Sequence, residues 1–179
     1  EADGLASDGG GQSLWVCGAD CTPALIADPA TGRVAACHAG WRGVAGRILP
    51  AALEELLAAG SRRQDLLIAL GPAVSGASYQ VERSVSGKVA ASLRSGPEPM
   101  GPGSLEDLRA CGALQPDPVP DRDRLDIRAA AARQLQNEGI APDRISLCPL
   151  CTLQEPLLFH SWRRDRVRAV QWSGIVSQA

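Results

Sequence analysis

A chain of 179 residues, 45% hydrophobic and 21% charged, can bury one conventional core and is too apolar for wholesale disorder. A formal charge of −2 with 3% aromatic residues excludes a protein built chiefly to grip nucleic acid or an anionic membrane. The uncharged stretch at residues 66–81 is broken by Gly71, Pro72 and Gly76 and is too short to cross a bilayer.

The first 13 residues are rich in Gly, Ser and Asp and read as an extended or loop segment. Leu14-Trp15-Val16-Cys17 has the pattern of a short buried strand, Pro23-Ala24-Leu25-Ile26-Ala27 of a second and Arg33-Val34-Ala35-Ala36-Cys37 of a third. Turn chemistry fills Asp28-Pro29-Ala30-Thr31-Gly32, so the second and third strands are expected to form a hairpin. Residues 44–59 carry an apolar stripe at helical spacing through Ile48, Leu49, Ala52, Leu53, Leu56 and Leu57. Pro50 inside that stripe predicts a kink or a helix restart, and Gly60 a stop.

Residues 66–70 read as a fully buried strand running into Gly71-Pro72. A helix interrupted at Gly87 is expected over 84–93, and the Pro-containing stretches 96–103 and 115–124 read as loops. Asp126 is a good N-cap for a helix through Glu138, closed by Gly139. Residues 145–147 and 168–172 read as strands. Strands and helices mix without a regular βαβ alternation, which favours an α+β class with a mixed sheet in a single domain over residues 1–179.

Six cysteines, at 17, 21, 37, 111, 148 and 151, are scattered through a chain large enough to fold without staples. No secretory signal opens the sequence, so the thiols are expected to be reduced and the setting cytoplasmic. They are then core residues, metal ligands or nucleophiles. The densest chemistry lies in Ala19-Asp20-Cys21-Thr22-Pro23 and His38-Ala39-Gly40-Trp41-Arg42-Gly43, at the two ends of the predicted hairpin. If Cys21 opens one strand and His38 closes the next, they stand side by side. An imidazole beside a thiol either lowers the thiol pKa and makes a nucleophile, or joins it in binding zinc or copper. A buried thiol with a hydrogen-bonded imidazole is the inert reading. Gly40 and Gly43 let backbone approach a ligand closely, and Arg42 offers a fixed fork for an oxyanion or a surface ion pair.

These strings resemble the signature of the YfiH/YlmD-type family, first described as multicopper polyphenol oxidases (laccase-like) and read as purine nucleoside phosphorylases with adenosine deaminase side activity. Ala2-Asp3-Gly4-Leu5, Leu70-Gly71-Pro72-Ala73, Tyr79-Gln80-Val81, Leu125-Asp126-Ile127, Cys151-Thr152 and Ser161-Trp162-Arg163-Arg164-Asp165 are similar to further motifs of that family, in order along the chain. The resemblance implies a four-layer α/β/β/α domain around a mixed β-sandwich. It also implies a metal, zinc with copper as the other choice, held by a His-Cys-His set whose second and third members match Cys21 and His38. The first member belongs to a Val-His-Gly motif upstream of the segment matched by Ala2, so an N-terminal segment is expected to be missing from this sequence.

The implied substrates are purine nucleosides (adenosine, inosine, guanosine, methylthioadenosine) and phosphate. Arg42 would hold the phosphate, with Arg163 and Arg164 either helping it or forming a solvated run paired with Asp165. His160 stands where the family has Phe and is either a substitute metal ligand or an exposed histidine. Cys148 and Cys151 form a CxxC that could close a Cys₄ zinc site with Cys17 and Cys21, or act as a redox pair. Two functions compete with the phosphorylase: copper-dependent phenol oxidation, and a non-catalytic binding domain that keeps the fold without its first metal histidine.

Overall fold

The structure is a computed structural model that describes residues 2–93 and 104–178; the loop expected at 96–103 lies outside the described residues. β3 (Thr22–Ala27) and β4 (Val34–Ala39) form the expected antiparallel hairpin, in register from Thr22 opposite Ala39 to Ala27 opposite Val34. Asp28 ties the turn: its carboxylate accepts the Ala30 N–H at 2.9 Å and the Thr31 hydroxyl at 2.8 Å. β1 (Gly4–Ala6), inside the stretch read as extended or loop, pairs with β4, while β5 (Leu67–Leu70) pairs antiparallel with β3 and parallel with β9 (Ile145–Leu147). The result is a mixed five-stranded sheet in the order β1-β4-β3-β5-β9.

Strand alternation sends Ala24, Ile26, Ala35, Cys37, Ile68 and Leu70 to one face, where they join the main core. The helical stripe covers that face after a break. α1 (Trp41–Ala45) ends early, Arg47 adopts left-handed backbone (φ 61°), and α2 (Ile48–Ala58) restarts. The restart places Pro50 in the first turn of α2, where its missing N–H has no partner to lose. Arg47 is held there by the Ser92 carbonyl at 2.8 Å and by Glu138. Leu49, Leu53 and Leu56 of α2 are buried, each worth about 1.5–3 kcal/mol of transfer free energy.

On the opposite face lies a two-stranded ribbon, β2 (Ser13–Gly18) with β10 (Gln171–Val176), paired from Ser13–Val176 to Gly18–Gln171. The strand expected at 168–172 therefore starts three residues later and runs further. Trp15 and Trp172 are exposed on the ribbon, 54% and 61%. Helix, sheet and ribbon stack as layers, and the α+β class with two β layers is observed.

The remaining elements extend the same core. β6 (Gln80–Glu82), β7 (Leu114–Pro116) and β8 (Arg122–Leu125) form a three-stranded antiparallel sheet in the order β6-β8-β7. The loop expected at 115–124 is thus largely a hairpin, because Pro116 and Pro118 sit at the strand end and in the connection rather than in the central strand. α3 (Arg83–Ala91) runs through Gly87 without interruption, α4 (Leu105–Ala110) opens on a Ser104/Asp107 capping box, and α5 (Ile127–Asn137) is capped by Asp126 as expected. α6 (Trp162–Asp165) is a single turn capped by Ser161. Among the described residues no helix is long and apolar enough to cross a membrane.

Candidate active site

The hairpin register sets the site. Pro23 lies opposite His38, and Cys21 precedes Pro23 on the same side of the strand, so the thiol and the imidazole meet on the ribbon-facing side of the sheet end. The β2 backbone then orients the ring: His38 Nδ1 lies 2.7 Å from the Cys17 carbonyl oxygen. A carbonyl only accepts, so Nδ1 carries a hydrogen and Nε2 is turned toward Cys21. The hydrogen bond with Cys21 raises the His38 pKa to about 9, against the opposing effect of burial and with help from the Cys17 carbonyl and the charges of Cys21 and Asp3. Gly40 closes the pair in. A Cβ there would lie 2.8 Å from Cys21 Sγ and 3.5 Å from His38 Nε2, so this position has no room for a side chain.

Asp20 holds Cys21 in place from the other side. It adopts left-handed backbone, φ 93°, uncommon for a residue with a side chain, and is 9% exposed. Its carbonyl accepts the Val74 N–H at 3.0 Å, and its carboxylate accepts the Thr152 hydroxyl and the Arg163 N–H, each at 2.7 Å. One residue therefore ties the Cys21 turn to the 73–79 loop, to Cys151-Thr152 and to the start of α6. Asp126 supports the same loop, its carboxylate accepting the Gly76 N–H at 3.1 Å. A small cavity of about 30 Å³ opens between Asp20, Cys21, Gly40, Trp41, Val74, Tyr79 and Ile127, room for about one water. A wider groove of about 450 Å³ runs between β5 and β10, lined by Leu25, Leu67, Ala69 and Ile175, but it carries no Cys or His.

Arg42 is exposed, stacks 4.5 Å over the Trp41 ring and has no ion pair among the described residues. Arg163 stacks 4.5 Å over Tyr79 and donates from Nη1 to the Gln80 carbonyl at 2.9 Å, with no acidic partner at its guanidinium among the described residues. Burial holds the Tyr79 phenol above its ordinary pKa; Cys21 and Asp20 act in the same direction and Arg163 and Arg42 in the opposite one. Arg42 thus stacks on Trp41 and Arg163 on Tyr79, two rings that line the same small cavity. Arg164 differs. Its guanidinium donates to the Thr152, Leu153 and Phe159 carbonyls and to Asp165, which makes it a clasp for the 152–165 segment.

Among the described residues no three His, Cys, Asp or Glu side chains converge as a metal site. The Cys₄ idea is therefore corrected: Cys151 Sγ instead accepts the Ser75 N–H at 3.2 Å, and Arg128 takes the Cys148 and Leu150 carbonyls. Burial raises the Cys151 pKa, but hydrogen bonds from Ser75, Gln154 and Leu153 outweigh it and leave the thiol below its ordinary value. His160 is exposed and joins no such group, so it is not a substitute ligand here. All six cysteines are free thiols; Cys37 is a core residue whose pKa burial pushes up to about 12. For a metal, Cys21 and His38 supply a sulfur and a nitrogen donor, two of the three protein ligands a catalytic zinc site uses.

A mixed sheet backed by a ribbon defines a class of domain already seen in solved structures. YlmD from Geobacillus stearothermophilus superposes with a TM-score of 0.82 at 31% identity, over 100% of this chain and 62% of that one. The hypothetical protein YfiH of Bacillus licheniformis does so with 0.83 at 29%, over 98% and 61%. The chain belongs to the family described as multi-copper polyphenol oxidoreductase laccase, whose model matches residues 1–177. A purine nucleoside phosphorylase of Synechocystis sp. is 44% identical over 180 residues, covering 98% of this chain and 68% of that protein. One of Mycobacterium tuberculosis is 36% identical over 165 residues, covering 92% and 58%. The chain spans 58–68% of the length of these four proteins.

Proposed function

We propose that this domain carries the reaction centre of a purine nucleoside phosphorylase acting on adenosine, inosine, guanosine and methylthioadenosine in the cytoplasm. The observation that carries the reading is the meeting of Cys21 and His38 at a cavity that Trp41 and Tyr79 also line, rings stacked by Arg42 and Arg163, whose guanidinium groups have no acidic partner among the described residues. The relatives named purine nucleoside phosphorylase support it. In phosphorolysis a phosphate oxygen bonds to ribose C1′ while the C1′–N bond to the purine breaks; the bonding electrons leave with the base, which takes up a proton. Arg42 and Arg163 hold the phosphate and screen its charge. His38, with Nδ1 fixed by Cys17, holds a proton at Nε2 on the side where Cys21 lies. Arg164 keeps the surrounding segment in shape.

A bound zinc would supply an activated water for the adenosine deaminase side activity, with Cys21 and His38 as two of its ligands, His38 giving up its Nε2 proton when the metal binds. Copper-dependent phenol oxidation ranks lower, because multicopper chemistry needs many histidines and this chain has two. The family description favours that second reading by name alone.

Incubating the purified chain with adenosine and phosphate and separating the products tests the proposal. Adenine and ribose 1-phosphate are expected in equal amounts, lost in Cys21→Ala and retained in Cys111→Ala. No phosphate-dependent adenine release from the parent would leave the binding-domain reading, and a zinc assay on the same sample would show whether the metal pair is used.

A further inference from the structure

The two β layers are unequal in width. β2 reaches β1, β3 and β4, and β10 reaches β3 and β4, so the ribbon lies over one half of the five-stranded sheet. On the other half the ribbon-facing side stays bare: Leu67, Ala69 and Ser146 are exposed, next to half-buried Leu25 and Ala27 of β3. These side chains floor the groove of about 450 Å³, and Gly174 and Ile175 of β10 form its wall. That wall is an open strand edge. The ladder to β2 continues as far as Ser177, whose N–H donates to the Gln12 carbonyl at 3.0 Å, so alternation turns the N–H groups of Trp172, Gly174 and Val176 away from β2. None of the three has a backbone partner among the described residues.

Edge strands that stay in water are blunted by charge, proline, a bulge or short length. β10 has none of these: Gln171-Trp172-Ser173-Gly174-Ile175-Val176 is six residues long, uncharged, free of proline and in unbroken register with β2. A strand laid about 4.8 Å beside β10 would pair that edge and, at the spacing of about 10 Å between packed sheets, cover Leu67 and Ala69. One segment thus answers both the polar edge and the apolar floor. A second copy fits badly. Two ribbons joined β10 to β10 about a two-fold axis would put both five-stranded sheets on the same side, where their β5 and β9 halves would compete for one space. We propose that the groove seats a further β-strand, paired with β10 through Trp172, Gly174 and Val176 and contributed by the same polypeptide from outside residues 1–179. Length favours this source: the chain covers 62% of YlmD and 68% of the Synechocystis phosphorylase, so part of each has no counterpart in these residues. The strand would turn alternate apolar side chains to the groove, and its seat stands apart from the phosphorylase reading.

Amide hydrogen exchange read by NMR tests this on two proteins, the 179-residue chain and the chain extended at both ends by its own coding sequence. In the first, the amides of Trp172, Gly174 and Val176 should exchange fast while those of Ser173 and Ile175, on the β2 side, are protected. In the extended protein all five should be protected, the three outward amides slowing by about 100-fold or more. Ala69→Arg, at an exposed position on the groove floor, should abolish that gain, and Leu67→Ser, a smaller change on the same floor, should reduce it. Thermal melts of both variants in the 179-residue chain show that they fold. Outward amides left unprotected in the extended protein overturn the assignment, as does a coding sequence that holds no further residues. Protection already present in the 179-residue chain also overturns it, giving the groove to a second copy where it rises with protein concentration and to residues 1–179 where it does not. A gain that survives Ala69→Arg places the added segment elsewhere and overturns it too.

Discussion

Asp20 and Thr152, 132 positions apart in sequence, are joined by a 2.7 Å hydrogen bond from the Thr152 hydroxyl to the Asp20 carboxylate. Both groups are buried, and the second carboxylate oxygen accepts the Arg163 N–H. Through its two carboxylate oxygens the residue beside Cys21 thus fixes both Thr152 and the arginine over Tyr79.

Asp20→Ala should therefore lower stability by about 1–3 kcal/mol, since it leaves a buried hydroxyl and a backbone N–H without acceptors. Denaturant unfolding measures it. Asp20→Asn, which keeps one acceptor oxygen, should fall between Asp20→Ala and the parent. A midpoint for Asp20→Ala equal to that of the parent would show that the contact does not hold the segment.

Two glycine-to-alanine changes should act in opposite directions. Gly40→Ala drives a methyl to 2.8 Å from Cys21 Sγ, so it should separate the Cys–His pair and remove activity from a chain that still folds. Gly87→Ala lies inside α3 with nothing within 4 Å of the new methyl, and should stabilise by about 0.5–1 kcal/mol. Full activity in Gly40→Ala would mean that the pair has more room than its geometry shows.

His38 makes stability depend on pH with a definite sign. Its pKa is raised from 6.5 to about 9 in the folded chain, so between those values the folded state binds more proton than the unfolded state. The contribution is fully present below about 6.5 and disappears as pH rises through about 9. Comparing unfolding midpoints of the parent and His38→Gln across pH 6 to pH 10 reads this directly (a range set by about those two values). A difference between the two proteins that stays constant over the whole range would contradict the shift.

Arg42 and Arg164 should separate by readout. Arg42→Lys replaces a fork with a point charge at an exposed position, so the phosphate KM should rise while the melting temperature stays put. Arg164→Lys gives up its bonds to the Thr152, Leu153 and Phe159 carbonyls, so the melting temperature should fall. An unchanged phosphate dependence in Arg42→Lys would return that arginine to an ordinary surface role.

Local patterns made the first half of the fold readable. The Asp28–Gly32 turn chemistry specified the hairpin, and the hairpin alone brings Cys21 to His38. Asp126 announced α5 by its cap. What sequence could not supply was long-range pairing. The stretch 115–124 reads as loop by its prolines, yet backbone pairing of Pro116 with Asp123 and of Val81 with Asp123 makes strands of its ends. In the site, Cys21, His38 and Arg42 stand out by residue type and spacing. Tyr79 and Asp20 do not, because their roles come from partners at Arg163 and Thr152 that no local pattern connects to them. The Arg163-Arg164 run shows the same limit: identical neighbours face different partners.

The ribbon of β2 and β10 has a kinetic consequence. Cys17, whose carbonyl sets the His38 tautomer, lies on β2, and the partner of Cys17 across the ribbon is Trp172. Nearby, Gln12 donates to Ser177 across 165 positions of sequence. The β3–β4 hairpin can form as soon as its own residues leave the ribosome, but β2 has no strand to pair with until 171–176 have been made. Closing so long a loop is slow compared with hairpin formation. During synthesis the chain thus holds a nascent Cys21–His38 pair whose imidazole is not yet oriented, and the site acquires its geometry only once β10 has joined β2.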